Sequence, residues 1–290
     1  MRYKKSQSAM EYLMTYGWAI LIIAVVLGVM FQLGVFSSAS FAPKAKAGSC
    51  LVERTTAGAS LGGMCQGELP QYVMSLTGYG SAVNQSVVSA IPAQSMTAVT
   101  ISAWVNLRNL NPCWENVAAL YTGSAALDIG VSCSSYEAVM RQDGSHAVGV
   151  PSPLISTGTW YFITGEWNGT TDQMTVFLNG GNQQSSTGNG QATYVVNKVN
   201  IGGEFNGGVG LMYAFNGTMA NVQVYNVTLS AAEVQALYQE GIGGAPVRPQ
   251  NIVGWWPMNG DVNDYSGNNE NGQNNGAGYS SFWTNGYSAP

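Results

Sequence analysis

Histidine occurs once in this chain, at His146, and Asp, Glu, Lys and Arg together make up only 9% of its 290 residues. The lone histidine sits in a polar Asp-Gly-Ser-His turn, the setting of a solvated loop residue rather than a general base. Carboxylates are few and scattered. No Glu-x-Asp-x-x-Glu arrangement occurs, and Glu166 and Asp172 flank a hairpin in too much isolation to form the carboxylate pair that glycoside hydrolysis needs. The expectation is a protein without enzymatic activity. Ten Lys and Arg against fifteen Asp and Glu give a net charge of −5, and the one basic cluster, Arg2, Lys4 and Lys5, lies at the extreme N-terminus. Phosphate backbones need clustered cations, so nucleic acid is excluded as a partner. Cysteine is limited to Cys50, Cys65, Cys113 and Cys133, whose wide spacing beside a single histidine does not suit zinc.

What the chain has in quantity is glycine, 37 copies, together with Asn, Ser, Thr, Tyr and Trp, the palette of extracellular β proteins with many turns. Short alternating apolar runs at 97–107, 160–167, 174–178 and 219–224 are each bounded by Gly, Asn or Ser, which predicts antiparallel strands packed in two sheets. One convincing helical stretch interrupts them at 230–239, where Ser230 followed by Glu233 forms a capping box. The length suits one such sandwich with an anchor attached.

The anchor is the apolar run 12–36, long enough at ~1.5 Å per residue to cross a ~30 Å hydrocarbon core. The basic cluster before it stays on the cytoplasmic side, so everything after it is expected outside the cell. Around this run the residues Lys4-Lys5-Ser6-Gln7-Ser8-Ala9-Met10-Glu11-Tyr12-Leu13 resemble the class III signal peptides of archaeal type IV pilins. There a basic leader is cut just before a Gln, and a Glu follows four residues later; Gln7 and Glu11 match, whereas the Ser usual two positions after the Gln is Ala9 here. The resemblance implies cleavage between Ser6 and Gln7 by a prepilin peptidase, with the helix kept on the mature protein, and assembly with other pilin subunits. A carboxylate near the start of a membrane helix is costly without a partner, and the mature amino group of Gln7 on a neighbouring subunit would supply one to Glu11. The expected organisation is a leader at 1–6, a membrane helix at 7–41, a linker at 42–49 broken by Pro43, and a β domain at 50–290.

Within that domain, Met96-Thr97-Ala98-Val99-Thr100-Ile101-Ser102-Ala103-Trp104-Val105, Trp160-Tyr161-Phe162-Ile163-Thr164-Gly165, Val176-Phe177-Leu178-Asn179-Gly180 and Phe215-Asn216-Gly217-Thr218-Met219-Ala220-Asn221-Val222 resemble, in this order, the laminin G-like (concanavalin A-like lectin) family. The resemblance implies an antiparallel jelly-roll sandwich. One element is displaced: Val253-Gly254-Trp255-Trp256-Pro257-Met258-Asn259-Gly260-Asp261, with Asn263-Asp264-Tyr265-Ser266-Gly267-Asn268, resembles the family's opening strand and loop but comes last. Fewer than forty residues cannot bury a core unaided, so segment 251–290 is expected to complete the same sandwich, as a circular permutation.

The resemblance also implies a structural calcium held by Asp264, with Asp261 beside it and Asn221 at the late-strand position. Sugar recognition needs exposed rings among polar groups, and Trp114, Tyr136 and Tyr213 lie in such contexts; Trp104, Trp160, Trp167, Trp255 and Trp256 lie in strand patterns and are expected in the core. Four cysteines outside the cell allow three pairings, of which Cys50 with Cys65 and Cys113 with Cys133 each close a short loop. Asn84, Asn168, Asn216 and Asn226 begin glycosylation sequons. The expected function is a cell-surface filament subunit with a lectin-like, polysaccharide-binding head; the alternative is a membrane-anchored carbohydrate-binding protein that does not assemble.

Overall fold

The computed structural model describes residues 7–32, 44–45, 50–53, 60–63, 69–78, 85–109, 114–122, 125–132, 135, 137–151, 153–206 and 210–290. The chain divides into two compact units, Met1–Ala42 and Pro43–Pro290. The first holds α1 (Gln7–Gln32). Its apolar side chains from Ile20 to Val29 are about half exposed around the whole circumference. Among the described residues no helix is long and apolar enough to cross a membrane; the described side chains of α1 are position 14 and positions 16–30, and both the side chain of Glu11 and residues 33–43 lie outside.

The second unit contains, in chain order, β1 (Lys44–Ala45), β2 (Cys50–Glu53), β3 (Ser60–Gly63), β4 (Leu69–Pro70), β5 (Val73–Thr77), β6 (Ser86–Met96), β7 (Ala98–Leu107), β8 (Glu115–Tyr121), β9 (Ala125–Ser132), β10 (Glu137–Gln142), β11 (His146–Val150), β12 (Trp160–Asn168), β13 (Gln173–Leu178), β14 (Asn182–Thr187), β15 (Tyr194–Ile201), β16 (Glu204–Asn206), β17 (Gly210–Met212), β18 (Asn216–Tyr225), α2 (Ala231–Gln239), β19 (Ile252–Trp256), β20 (Gln273–Asn275) and β21 (Gly278–Ser280). Two sheets form a sandwich. One has the order β11-β10-β9-β8-β15-β6-β20 and the other β14-β13-β12-β7-β18-β5-β21, with β19 also on β18. All pairings within these two sheets are antiparallel.

Alternation along the strands builds the core. In β7 the residues Val99, Ile101, Ala103, Val105 and Leu107 face the opposite sheet, and they share one apolar cluster with Ile129 and Met140 of that sheet and with Trp167, Phe215 and Trp256. The intervening Thr100, Ser102 and Trp104 point outward yet are also buried, because α2 and the C-terminal tail cover that face: the Trp104 ring stacks on Tyr238 of α2 at 5.6 Å and meets Tyr287 edge-on at 5.5 Å. The capping box is present, with Ser230 Oγ accepting from the Glu233 amide and Glu233 accepting from the Ser230 amide. The five tryptophans expected in the core are all buried.

The C-terminal segment is woven into both sheets. On the side of β18 away from β7, residues 216–219 pair with β5 and residues 222–225 with β19. The change of partner falls at a bulge where Asn221 takes a left-handed φ of 54°, a conformation Asn tolerates better than most residues. β20 then joins the edge of the first sheet beside β6, and β21 joins the second beside β5. β14 had no apolar periodicity to announce it. All six of its residues are exposed and uncharged, and it forms by pairing at the sheet edge, after a turn in which Asn179 and Gly180 both have positive φ.

Candidate functional site

The seven-stranded sheet carries a polar row on the face turned away from the core. Arg141 of β10 pairs with Asp128 of β9, Asp128 with Ala119 of β8, and Ala119 with Asn200 of β15, so four side chains on one face follow one another at strand spacing, about 4.8 Å. Arg141 Nε donates to Asp128 Oδ1 at 3.0 Å and its terminal nitrogen to Oδ2, while Asn116 Nδ2 also donates to Oδ2 at 2.9 Å. This bidentate pair fixes both planes. Asp128, Ala119 and Asn200 are all buried, whereas Arg141 is partly exposed.

Two aromatic rings flank the row. The Arg141 guanidinium lies 4.1 Å from the centre of the Trp114 ring and 5.2 Å from that of Tyr213, within cation–π range. Both rings are partly exposed. They are held close by the backbone: the Asn116 amide donates to the Tyr213 carbonyl at 2.9 Å. Trp114 also lies over Gly130, where a Cβ would come within 2.7 Å of the indole. Below this rim, Asn116 Oδ1, both amide atoms of Asn200 and Trp114 Nε1 are buried and have no hydrogen-bond partner. Buried polar atoms are normally paired, but these four are closed off from solvent beneath the rim, so the groups this face offers to a ligand are the two partly exposed rings and the Arg141 guanidinium between them. On the neighbouring row Lys198 Nζ lies 5.4 Å from the Tyr121 ring.

Two of the three aromatic residues singled out from sequence, Trp114 and Tyr213, are thus brought together; Tyr136 lies outside the described residues. Nothing in the sequence pointed to Asn116, Asp128, Arg141 or Asn200, which become neighbours only through strand register.

The residues expected to hold calcium are placed differently. Asp264 Oδ1 accepts from the amides of Trp255 and Ser266, and Oδ2 from the Ser266 hydroxyl and the Glu270 amide, all at 2.7–2.9 Å. Four donors fill the lone pairs of both oxygens. Asn221 Oδ1 accepts from Trp255 Nε1 and Gln223 Nε2, and Asp261 is engaged by the Asn263 amide and the Tyr265 hydroxyl. This donor set does not fit a cation, and among the described residues no three His, Cys, Asp or Glu are grouped to hold a metal. The loop is closed by hydrogen bonds, with the Trp255 backbone bonded to Asp264 and its indole to Asn221.

Of the sequon asparagines, Asn216 is buried on β18, its Nδ2 donating to Asn109 and its Oδ1 accepting from Arg108; the folded chain has no room for a glycan there, a correction to the sequence expectation. Asn226 is exposed, and Asn168 caps the β12–β13 turn through the Thr170 and Thr171 amides. Asn84, Cys65, Cys113, Cys133 and Ser6 lie outside the described residues, Cys50 is described only as a backbone position in β2, and Gln7 opens α1. His146 opens β11 and is exposed. Glu166 was not expected to be special, yet it is 6% exposed on the outer face of the other sheet and burial pushes its carboxyl up to about 7.

A family model described as the concanavalin A-like lectin/glucanases superfamily (Laminin_G_3) matches residues 80–235. The chain belongs to this family. Solved structures similar in fold include a Bacteroides ovatus protein proposed to bind carbohydrate, 14% identical with a TM-score of 0.57; the match covers 74% of this chain and 61% of the length of that protein. The heptameric SAP-like pentraxin of Limulus polyphemus is 15% identical with a TM-score of 0.55, over 72% of this chain and 94% of that one. At these identities the likeness is one of fold. No curated protein sequence matches the chain. The family match stops at 235, so β19 and the Asp264 loop lie beyond it.

Proposed function

We propose that this laminin G-like domain is a carbohydrate-binding head, presented outside the cell by the N-terminal helix, and that it performs no catalysis. The observation that carries the reading is the pair of partly exposed rings, Trp114 and Tyr213, held on either side of Arg141 over the row Arg141, Asp128, Ala119, Asn200. Rings supply stacking faces and the partly exposed guanidinium a polar group beside them, the two components of sugar recognition. The fold shared with the Bacteroides ovatus protein supports it. The test is a glycan array probed with the detergent-solubilised full chain. Retention on a subset of polysaccharides, with the eluted glycan unshortened, is expected; retention on none, or shortened products, contradicts the reading. Asn84, Asn168 and Asn226 are the positions proposed to carry glycans, and Cys50–Cys65 with Cys113–Cys133 the proposed disulfides.

The surface location rests on the sequence run 12–36, of which α1 is the described part, and on the resemblance of the Gln7 and Glu11 region to pilin leaders. A helix apolar all round needs lipid or other helices to cover it, and pilin-like assembly would provide both. Protein extracted from membranes is then expected to begin at Gln7, and Glu11→Ala cells to lose surface filaments. A start near Ala39, or normal filaments from that strain, would contradict assembly; correct processing with no filaments in the wild type would leave an anchored, unassembled binder.

The order of the chain follows from the same family reading. β19 occupies the place beside β18 that the family's opening strand would take, so the 251–290 segment is read as that opening element moved to the end. Sandwich termini commonly lie close together, which makes such a move physically cheap.

A further inference from the structure

The opposite side of the sandwich carries a feature that the polar row does not use. Phe282 is 93% exposed, the most exposed large apolar side chain among the described residues of the β unit. It is not part of a loose tail. Its neighbour Trp283 is 3% exposed, its indole donating to the Pro70 carbonyl at 3.0 Å and its own carbonyl accepting from Trp160 Nε1 at 2.9 Å. Three residues on, the Gly286 carbonyl accepts from the Trp160 amide, and Tyr287 is buried against Trp104 and Trp283. Backbone pinned on both sides, with Trp283 turned inward, makes the Phe282 side chain project into solvent from an anchored stretch of chain.

Phe282 lines a cleft of about 320 Å³ with Asn106, Thr157, Thr218 and Asn285. Asn106 and Thr218 are register partners on β7 and β18, both pointing outward and partly exposed, and they provide polar groups on a rigid sheet. Gly217 and Gly158 belong to the lining, and close backbone packing requires the first to be glycine, since a Cβ on Gly217 would come within 2.2 Å of the Asn106 carbonyl. The one charged residue in the lining, Arg108, is already committed to the Leu76 carbonyl, Asn216 and Ser75. A cleft of this size sits at the small end of ligand sites. One exposed aromatic face beside uncharged amides and hydroxyls, with no carboxylate among the described lining residues and the nearby Lys44 held on the Trp283 ring and the Ser281 carbonyl, matches a neutral sugar ring, apolar on one face and hydroxylated at its edge.

We propose that this cleft is a second carbohydrate site, for one or two neutral sugar units stacked on Phe282 and hydrogen-bonded by Asn106, Thr218 and Asn285; it rests on the carbohydrate-binding reading above. Two sites on opposite faces let one head bridge two glycan chains and gain avidity on a dense surface.

The test is affinity electrophoresis of the detergent-solubilised full chain in native gels containing mannan, xylan, laminarin or dextran. In the gel that retards the wild type most, Phe282→Ala is expected to bind about fivefold more weakly, Phe282→Trp to bind at least as well as the wild type, and Thr218→Ala with Asn285→Ala to resemble Phe282→Ala. Phe282→Ala changes an exposed ring, so its melting temperature should match the wild type. Retardation of Phe282→Ala equal to the wild type overturns the cleft and leaves the carbohydrate reading standing, and so does an altered oligomeric state with unaltered retardation, which would make Phe282 a contact between copies. A wild type retarded by none of the four overturns both.

Discussion

Truncation after Gly244 is expected to leave the β unit unable to fold. The cut removes β19, β20 and β21, and with them Val253, Trp256, Met258 and Ala277 from the central cluster and Trp255, Trp283 and Tyr287 from the outer face. Loss of a single buried tryptophan costs about 3–5 kcal/mol, which approaches the whole stability of an ordinary domain; here three go at once. Residues 222–225 of β18 and 73–75 of β5 lose their outer neighbours, exposing unpaired edges that favour aggregation. The loss is also electrostatic in a small way, since Asn221 and Ser89 would lose Trp255 Nε1 and the Glu270 carbonyl as partners. Circular dichroism of the truncated chain should show no cooperative melt, and supplying segment 245–290 in trans should restore one. A truncated chain melting near the full-length temperature would contradict the permuted arrangement.

The second large effect is a pH dependence set by Glu166. This carboxyl lies on β12 between Thr100 and Thr175, accepts from the Leu229 amide at 3.0 Å and sits within 3.4 Å of the Thr100 hydroxyl. Burial is the main cause of its rise from 4.5 to about 7; the Leu229 bond opposes the rise, and the nearby Glu233 adds to it. The folded protein therefore holds this proton up to about pH 7, whereas the unfolded chain releases it near 4.5. Its contribution is full below about pH 4.5 and is lost as pH rises to about 7, a difference on the order of 3 kcal/mol. Urea denaturation at pH 4.5 and pH 7.5 should show the chain more stable in acid by roughly that amount, and Glu166→Gln, which keeps the acceptor for Leu229, should flatten the profile and raise stability at pH 7.5. An unchanged slope in Glu166→Gln would place the dependence elsewhere.

Much of this fold is written in local pattern. The runs at 97–107 and 160–167 differ from β7 and β12 by one residue at one end, because alternation of apolar side chains is what a half-covered sheet requires. The Ser230 and Glu233 capping box and the buried tryptophans follow from equally local chemistry. What was not legible depends on which elements cover which faces. Glu166 reads as an ordinary strand acid until the chain entering α2 is seen to lie over it. Asn221 reads as a metal ligand until β18 changes partner there, and the buried Asn216 reads as a free sequon. β14 has no apolar periodicity because both its faces meet solvent. At the site, Trp114 and Tyr213 were visible as rings in polar surroundings, whereas Asp128, Arg141 and Asn200 come from three strands spread over more than seventy residues, and no spacing rule joins them. Phe282 was hidden for the opposite reason: only the inward lock of Trp283 shows that its ring projects into solvent.

The most direct test of the central claim is isothermal titration of the detergent-solubilised full chain with the glycan it retains best on the array. Saturable binding is predicted, with the ligand recovered intact and the affinity reduced about tenfold in Trp114→Ala. Absence of binding heat, or recovery of a cleaved ligand, would contradict a non-catalytic carbohydrate-binding head.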